Sequence, residues 1–378
     1  MRWWQHLRQS GQAIGQLARP RISSWKGFGA LFLVGVSWSV AIAACSGGDN
    51  SATQNPAASP VATNKQDVEL TLVSFAVTKA AHDAIIPKFT EQWKQEHNQN
   101  VTFKTSYGGS GSQTRAVIDG LEADIVHLAL ALDTSRIEKA GLIEPGWEKE
   151  VPDNGIVSKS VAALVTREDN PKGIKTWADL AKDGVSLITA DPKTSGIARW
   201  NFLTLWNSAI KTGASEEQAL DFVSKVYGNV PILTKDAREA TDVFFKQGQG
   251  DALINYENEI LLAQQKGGEK VSYIIPDVNI SIDNPIAVVD RNVDKHGTRE
   301  VAEAFVKYLF TPEAQQEFAK VGFRPVDETV AQTKENTDKY PKVQNLGSVK
   351  DFGGWNAVQA KFFEDGAVFD QIQAKIKR

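Results

Sequence analysis

The chain has 378 residues, with 42 Lys and Arg against 46 Asp and Glu, a formal net charge of −4 and 42% apolar residues. This composition excludes a disordered chain, a collagen-like repeat and a multispanning membrane protein, and at roughly 150 residues per domain the length suggests about two domains. A single cysteine excludes an internal disulfide and a cysteine-based zinc cluster, and five widely spaced histidines point to no metal site.

Residues 1–44 carry Arg2, Arg8, Arg19, Arg21 and Lys26 and no acid. The 42 basic residues less these five leave 37 against 46 acidic ones, so the remainder carries −9. So acidic a body is unsuited to nucleic acid, which requires a basic surface. Residues 28–44 are apolar or small without a charge, as in a signal-peptide core, so 1–44 reads as an export signal. The run ends Ile42-Ala43-Ala44-Cys45. Small residues before the single cysteine resemble a bacterial lipoprotein box, in which Cys45 would carry lipid and become the mature N-terminus. The same residues suit an ordinary signal peptidase site, with Cys45 incidental. After Cys45, residues 46–66 hold Val61 as their only large apolar side chain. They cannot bury enough surface to offset their ordering entropy, so 45–66 reads as a flexible tether.

From residue 67 strands and helices alternate. A strand over 68–74 precedes a helix over 80–96, with Ala81, Ile85, Phe89 and Trp93 at helical spacing. Pro87 inside that helix predicts a kink or a late start. A strand over 101–106 is broken by GGSG at 108–111, then comes a helix over 113–121 and a buried strand over 124–130. Further strands are expected at 160–166, 185–189, 230–233, 252–255, 271–275 and 286–289. Helices are expected at 177–182, 198–211, 216–227, 238–247, 257–266, 299–310 and 312–321. The alternation predicts an α/β protein with mostly parallel sheets flanked by helices.

Three strand-to-helix loops carry the candidate chemistry: Tyr-Gly-Gly-Ser-Gly-Ser at 107–112, Asp-Pro-Lys-Thr-Ser-Gly at 191–196 and Thr-Lys-Asp-Ala-Arg-Glu at 234–239. A helix N-terminus leaves its first N–H groups without internal partners and is partly positive. Glycine lets the backbone approach a ligand closely. Each loop is therefore a possible anion seat. Gly and Ser also serve there simply as turn and N-cap residues, so the weight rests on finding three such loops in one exported α/β chain.

Catalysis fits poorly. Around Ser110, GGSGS has Ser112 where a nucleophile elbow needs glycine, and 111–113 reads Gly-Ser-Gln where a Walker A loop needs Gly-Lys-Ser/Thr. A Ser110 nucleophile would need His82, His127 or His296, and no motif surrounds any of them. His127, in an apolar strand, reads as a core residue with its hydrogen bonds satisfied. The chain is expected not to be an enzyme.

The order of segments YGGSGSQ (107–113), GLEADIV (120–126), LALALD (128–133), DPKTSGIARWNFL (191–203), DAREATDVF (236–244), GDALINYENE (250–259) and FGGW (352–355) is specific. It resembles the bacterial periplasmic sulfate-binding proteins of ABC importers, a group with thiosulfate-binding members, and its cyanobacterial branch in particular. The resemblance runs from about Val68 to the C-terminus. It implies a type II periplasmic-binding fold of two lobes with the ligand in the cleft between them. The chain crosses near 157–165 and 286–290, giving 67–156 with 285–378 as one lobe and 157–284 as the other. The resemblance implies sulfate held by uncharged donors: the backbone N–H of Ser110, those of Ser195, Gly196 and Ile197 with the Ser195 hydroxyl, and that of Ala237. Gly109 and Gly111 would support the first loop and Arg238 the third, while Asp191 and Asp236 cap loops. The family has a tryptophan where this chain has Tyr256, so a phenol hydroxyl would replace an indole N–H. The expected partners are sulfate, or thiosulfate or molybdate in the same fold, and the importer's membrane subunits. No cofactor, metal or nucleic acid is expected. The protein would be a periplasmic monomer touching the membrane only through lipid on Cys45. An anchored sensor reusing the fold is the reading from another class.

Overall fold

The computed structural model describes residues 66–266 and 271–376. The export signal, Cys45 and nearly all of the tether lie outside them. Strand β1 (Val68–Phe75) alternates as its sequence dictates, Leu70 and Leu72 entering one apolar cluster and Val73 the cluster on the opposite face. It lies between β2 (Val101–Gly108) and β3 (Ile125–His127), parallel to both. Then come β11 (Ile282–Val288) and β4 (Ile156–Ser160), each antiparallel to its neighbour.

A second five-stranded sheet has at its centre β8 (Ala252–Tyr256), between β6 (Leu187–Ala190) and β5 (Ala162–Thr166). The strand β7 (Leu233–Thr234) closes the β6 side and β9 (Ser272–Ile274) the β5 side. All five residues of β5 are buried, because helices cover both faces: Ala162 and Leu164 meet one cluster, Ala163 and Val165 another. Here β6 runs parallel to β7 and β8, whereas β5 is antiparallel to β8 and β9. Both sheets are therefore mixed, where sequence alternation predicts mostly parallel ones. The antiparallel strands include those that carry the chain between sheets, β4, β5 and β11, the last entered from β10 (Val278–Ile280), and local patterning does not reveal the direction of a crossing.

Helix α1 (Lys79–His97) runs through Pro87 without interruption. Pro87 and Asp83, whose carbonyl loses its helical partner, are both exposed, so water can supply the missing bond. Helix α2 (Ser110–Ile118) begins three residues before its expected start, with Gly109 as N-cap. The strand expected over 124–130 is shorter: β3 stops at His127, and α3 (Ala131–Lys139) follows. Helix α4 (Gly196–Lys211) is buried over nearly its whole circumference. One side of it meets the second sheet. The other is covered by residues from the C-terminal stretch: Trp355 lies 4.6 Å from Trp200, Phe362 4.9 Å from Trp206, and Phe369 6.3 Å from Phe202, centroid to centroid. The same stretch pairs β12 (Asn345–Gly347) with β10. No helix among the described residues is long and apolar enough to cross a membrane.

Candidate functional site

In each sheet three strands run parallel, so the loops after them emerge on one side. The loops after β1, β2 and β3 meet those after β6, β7 and β8 around a small cavity of about 10 Å³. That is far below the roughly 300–1,000 Å³ of pockets for organic ligands. The first sheet contributes Phe75, Ala76 and Val77, then Gly108, Gly109 and Ser110, then Ala129. The second contributes Ser195 and Gly196, Asp236 and Ala237, and Tyr256. No Lys, Arg or His lines it.

Five of these segments are helix starts, one of them Tyr256, which caps the helix over Glu257–Gln265. Gly109 caps α2, Ser195 caps α4, and Asp236 caps α6 (Ala237–Phe245). The fifth is the 3-10 turn Ala76–Thr78. The first N–H groups of such elements have no internal partner, and the dipole makes these ends positive. Asp236 binds the third helical N–H of α6, that of Glu239, at 2.9 Å, leaving Ala237 at the cavity wall. Asp191 caps its own loop, accepting the Lys193 N–H at 2.8 Å. Both aspartates thus act within their loops.

The loops approach each other closely. A β-carbon on Gly109 would lie 2.5 Å from the Thr194 carbonyl oxygen and 2.9 Å from that of Lys235. One on Gly196 would lie 2.4 Å from the Ala129 β-carbon. Hydrogen bonds span the same junction: the Ser112 N–H reaches the Thr194 carbonyl at 3.3 Å, Arg115 the Lys193 carbonyl at 3.1 Å, and the Trp200 indole the Ala129 carbonyl at 2.9 Å.

Of the residues singled out from sequence, Gly109, Ser110, Ser195, Gly196, Ala237 and Tyr256 line the cavity. Ile197 does not; its side chain is buried in the core beneath. Gly111 stands one step back, where a β-carbon would be 3.3 Å from the Thr194 carbonyl oxygen. The Ser195 N–H is taken by the Asp191 carbonyl at 2.8 Å, so Ser195 offers its hydroxyl in place of its backbone donor. Arg238 turns away and binds Glu259 at 2.7 Å. It reaches the site only through a chain: Glu259 accepts from Thr241 at 3.1 Å, and the Asn255 amide bonds Thr241 at 2.9 Å and the Ala237 carbonyl at 2.8 Å. The turn at 75–77 and Ala129 escape sequence reading because they carry no Gly or Ser signal. The rule that ligands sit beyond the carboxyl ends of parallel strands points to both.

Tyr256 is buried and its hydroxyl has no partner, the one polar side-chain atom lining the cavity in that state. Burial holds its pKa well above 10, with Asp133 and Glu259 adding to the effect, so it stays a neutral hydroxyl. The Ser110 hydroxyl, by contrast, is committed: it donates to buried Asp133 at 2.6 Å and accepts from the Ala129 N–H at 3.0 Å. No histidine approaches it. His82 bonds Tyr107 and His127, each at 3.1 Å, and His296 faces Asp124 and Glu122. His127 is only half satisfied, since its Nε2 is buried without a partner. Burial lowers His82 to about 3 and His127 well below 6.5, so neither is charged near neutral pH. Ser110→Ala removes the partner of the Ala129 N–H and of Asp133 Oδ2, while Asp133 Oδ1 still faces Arg136 and Arg199. We expect it to lower the unfolding free energy in a urea titration by about 1–3 kcal/mol. A curve superimposable on wild type would show that this network contributes nothing.

Residues 70–324 match the family of bacterial extracellular solute-binding proteins. A sulfate-binding protein of Synechococcus elongatus is 59% identical over 342 residues, covering 89% of this chain and 93% of that one. A sulfate-binding protein of Synechocystis is 61% identical over 310 residues, 82% of this chain and 87% of that one. Among solved structures, the sulfate-binding protein SubI of Mycobacterium tuberculosis superimposes with a TM-score of 0.72 at 36% identity, covering 79% of this chain and all of that one. The chain has the type II periplasmic-binding fold and belongs to the bacterial extracellular solute-binding proteins, in the group that holds the sulfate-binding proteins.

Proposed function

We propose that this protein captures sulfate outside the cytoplasm and delivers it to the membrane subunits of an ABC importer. The observation that carries the reading is the cavity itself: helix starts from both sheets and one unpartnered phenol face a space with no basic side chain. Neutral donors suffice on magnitude. Hydrogen bonds to charged groups contribute about 1.5–3 kcal/mol each, so six give roughly 9–18 kcal/mol before association costs, and micromolar binding needs about 8 kcal/mol. Sulfate is fully deprotonated near neutral pH and only accepts, which matches a wall of donors. Hydrogen phosphate would require an acceptor. The −9 body repels a dianion at long range, so recognition is local. The role is binding and not catalysis, since Ser110 is tied to Asp133 and no base faces it.

The donors are the backbone N–H groups of Ser110, Gly196, Ile197 and Ala237, the Ser195 hydroxyl and the Tyr256 hydroxyl, with the turn at Ala76–Thr78 as a further N–H source. Gly109, Gly111 and Arg238 support them. The lobes divide at the β4–β5 and β10–β11 crossings: 67–156 with the region after 285 form one and 157–284 the other, and residues 345–376 pack back onto the second. Rotation about these crossings closes the cleft. The protein acts as a periplasmic monomer, and lipid on Cys45 holds it to the membrane through the 46–66 tether; that anchor rests on the sequence alone.

Calorimetric titration of the ligand-stripped protein tests the reading. Sulfate should bind near 1:1 and raise the melting temperature by mass action, with phosphate silent. Thiosulfate and molybdate titrations then define the selectivity. Silence with sulfate would overturn the assignment.

A further inference from the structure

Tyr256 ends β8, and the next residue, Glu257, opens α7 (Glu257–Gln265). Glu257 is 0% exposed, although it is ionisable and lies outside the cavity. Its carboxylate is gripped at both oxygens by Arg324: Nε reaches Oε2 at 2.7 Å and Nη2 reaches Oε1 at 2.9 Å. Such a fork fixes direction as well as distance. Arg324 comes from the segment after α10 (Pro312–Lys320), a helix joined to α1 by Lys88 and to β4 by Gln315. Its backbone exchanges both hydrogen bonds with Lys159 of β4, at 2.8 and 3.1 Å. Where β4 passes into β5, the Glu257 N–H donates to the Val161 carbonyl at 2.9 Å, and Ala162 is the register partner of Tyr256. The crossing strand thus holds the Tyr256–Glu257 corner at two independent points, one through backbone and one through the Arg324 fork.

We propose that Arg324 is a positioning residue for the anion site: through Glu257 it couples the β4 crossing to the Tyr256 wall, so that the phenol is aimed when the lobes close. This rests on the reading of the cavity as the sulfate seat. A buried carboxylate that loses its only tight counter-charge draws in water or a proton, and either loosens the start of α7 and the residue before it. The other groups whose charge or titration is tied to Glu257 are Lys339, Tyr273 and Tyr340, and none of them bonds its carboxylate. Burial raises the Glu257 pKa, so acidification neutralises it ahead of exposed glutamates.

The test is sulfate titration of wild type, R324Q, R324K, E257Q and the double variant, each with a thermal melt and a pH series. R324Q and E257Q should each weaken sulfate about tenfold or more at a temperature where the melts show them folded. The double variant should be no weaker than the poorer single one, because both act on one link. Wild-type affinity should fall as pH falls and Glu257 takes a proton, and E257Q should lose that dependence. A purely structural brace would lower the melting temperature and leave the affinity within twofold of wild type, which would overturn the proposal. So would an E257Q pH profile matching wild type. Should R324Q fail to fold, R324K keeps the charge and loses the fork, and unchanged affinity in it overturns the proposal equally. A wild type silent to sulfate removes the cavity reading and this proposal with it. A wild type that binds, with variants that bind as well, removes this proposal alone.

Discussion

Gly109→Ala is expected to weaken sulfate binding by about 10- to 100-fold while leaving the ligand-free melting temperature nearly unchanged. The backbone at Gly109 has φ −63° and ψ 133°, which alanine adopts freely, so no conformational cost attaches to the change. The cost is contact. The added methyl would sit 2.5 Å from the Thr194 carbonyl oxygen and 2.9 Å from that of Lys235, both backbone atoms with no rotamer to yield. Overpacking of this kind costs about 1–3 kcal/mol, and 1.4 kcal/mol is tenfold in affinity. Both oxygens belong to loops on the second sheet, whereas Gly109 follows a strand of the first. The clash therefore arises only when the two sets of loops meet around the anion, and it is relieved when the lobes part. Gly120 is the control. It has φ +113° and open space around it, so Gly120→Ala strains the backbone and lowers the melting temperature without touching the seat. Titration calorimetry beside melts with and without sulfate separates the two. Wild-type affinity in Gly109→Ala would mean that closure leaves room for a β-carbon beside the Thr194 carbonyl oxygen.

The same contrast explains what could be read from the sequence. Gly109, Ser110, Ser195, Gly196 and Ala237 announce themselves because close approach and capping demand particular residue types at strand-to-helix turns. The turn at 75–77 is Phe-Ala-Val, and nothing in those letters marks an anion seat. Its role follows from β1 being a central parallel strand, a fact of pairing between residues more than thirty apart. The Ser110–Asp133 bond and the His82–His127 pair likewise join distant positions, so only the fold reveals that one hydroxyl is occupied and one histidine half satisfied. The antiparallel share of each sheet was illegible for a related reason. The strand expected over 160–166 includes the point where the chain leaves one sheet at Ser160 and enters the other at Ala162. The second half, β5, is buried on both faces, which erases the alternation that would show the break.

Tyr256→Phe should weaken sulfate binding and leave ligand-free stability nearly unchanged. The phenol hydroxyl lines the cavity without a protein partner and faces water once the lobes part. Removing the oxygen keeps the ring against Phe75, whose centroid lies 5.9 Å away. The unfolding free energy of the ligand-free variant should therefore stay within about 0.5 kcal/mol of that of wild type. With sulfate bound, the hydroxyl is the side-chain donor that would convert the orphan into a charge-assisted bond, contributing about 1.5–3 kcal/mol. Its loss predicts affinity about 10- to 100-fold weaker. Because the phenol stays protonated far above neutral pH, the deficit should be the same at pH 6 and pH 8. If the phenylalanine variant binds sulfate as wild type does, the hydroxyl does not contact the anion, and the donor set must be closed by the backbone and the Ser195 hydroxyl.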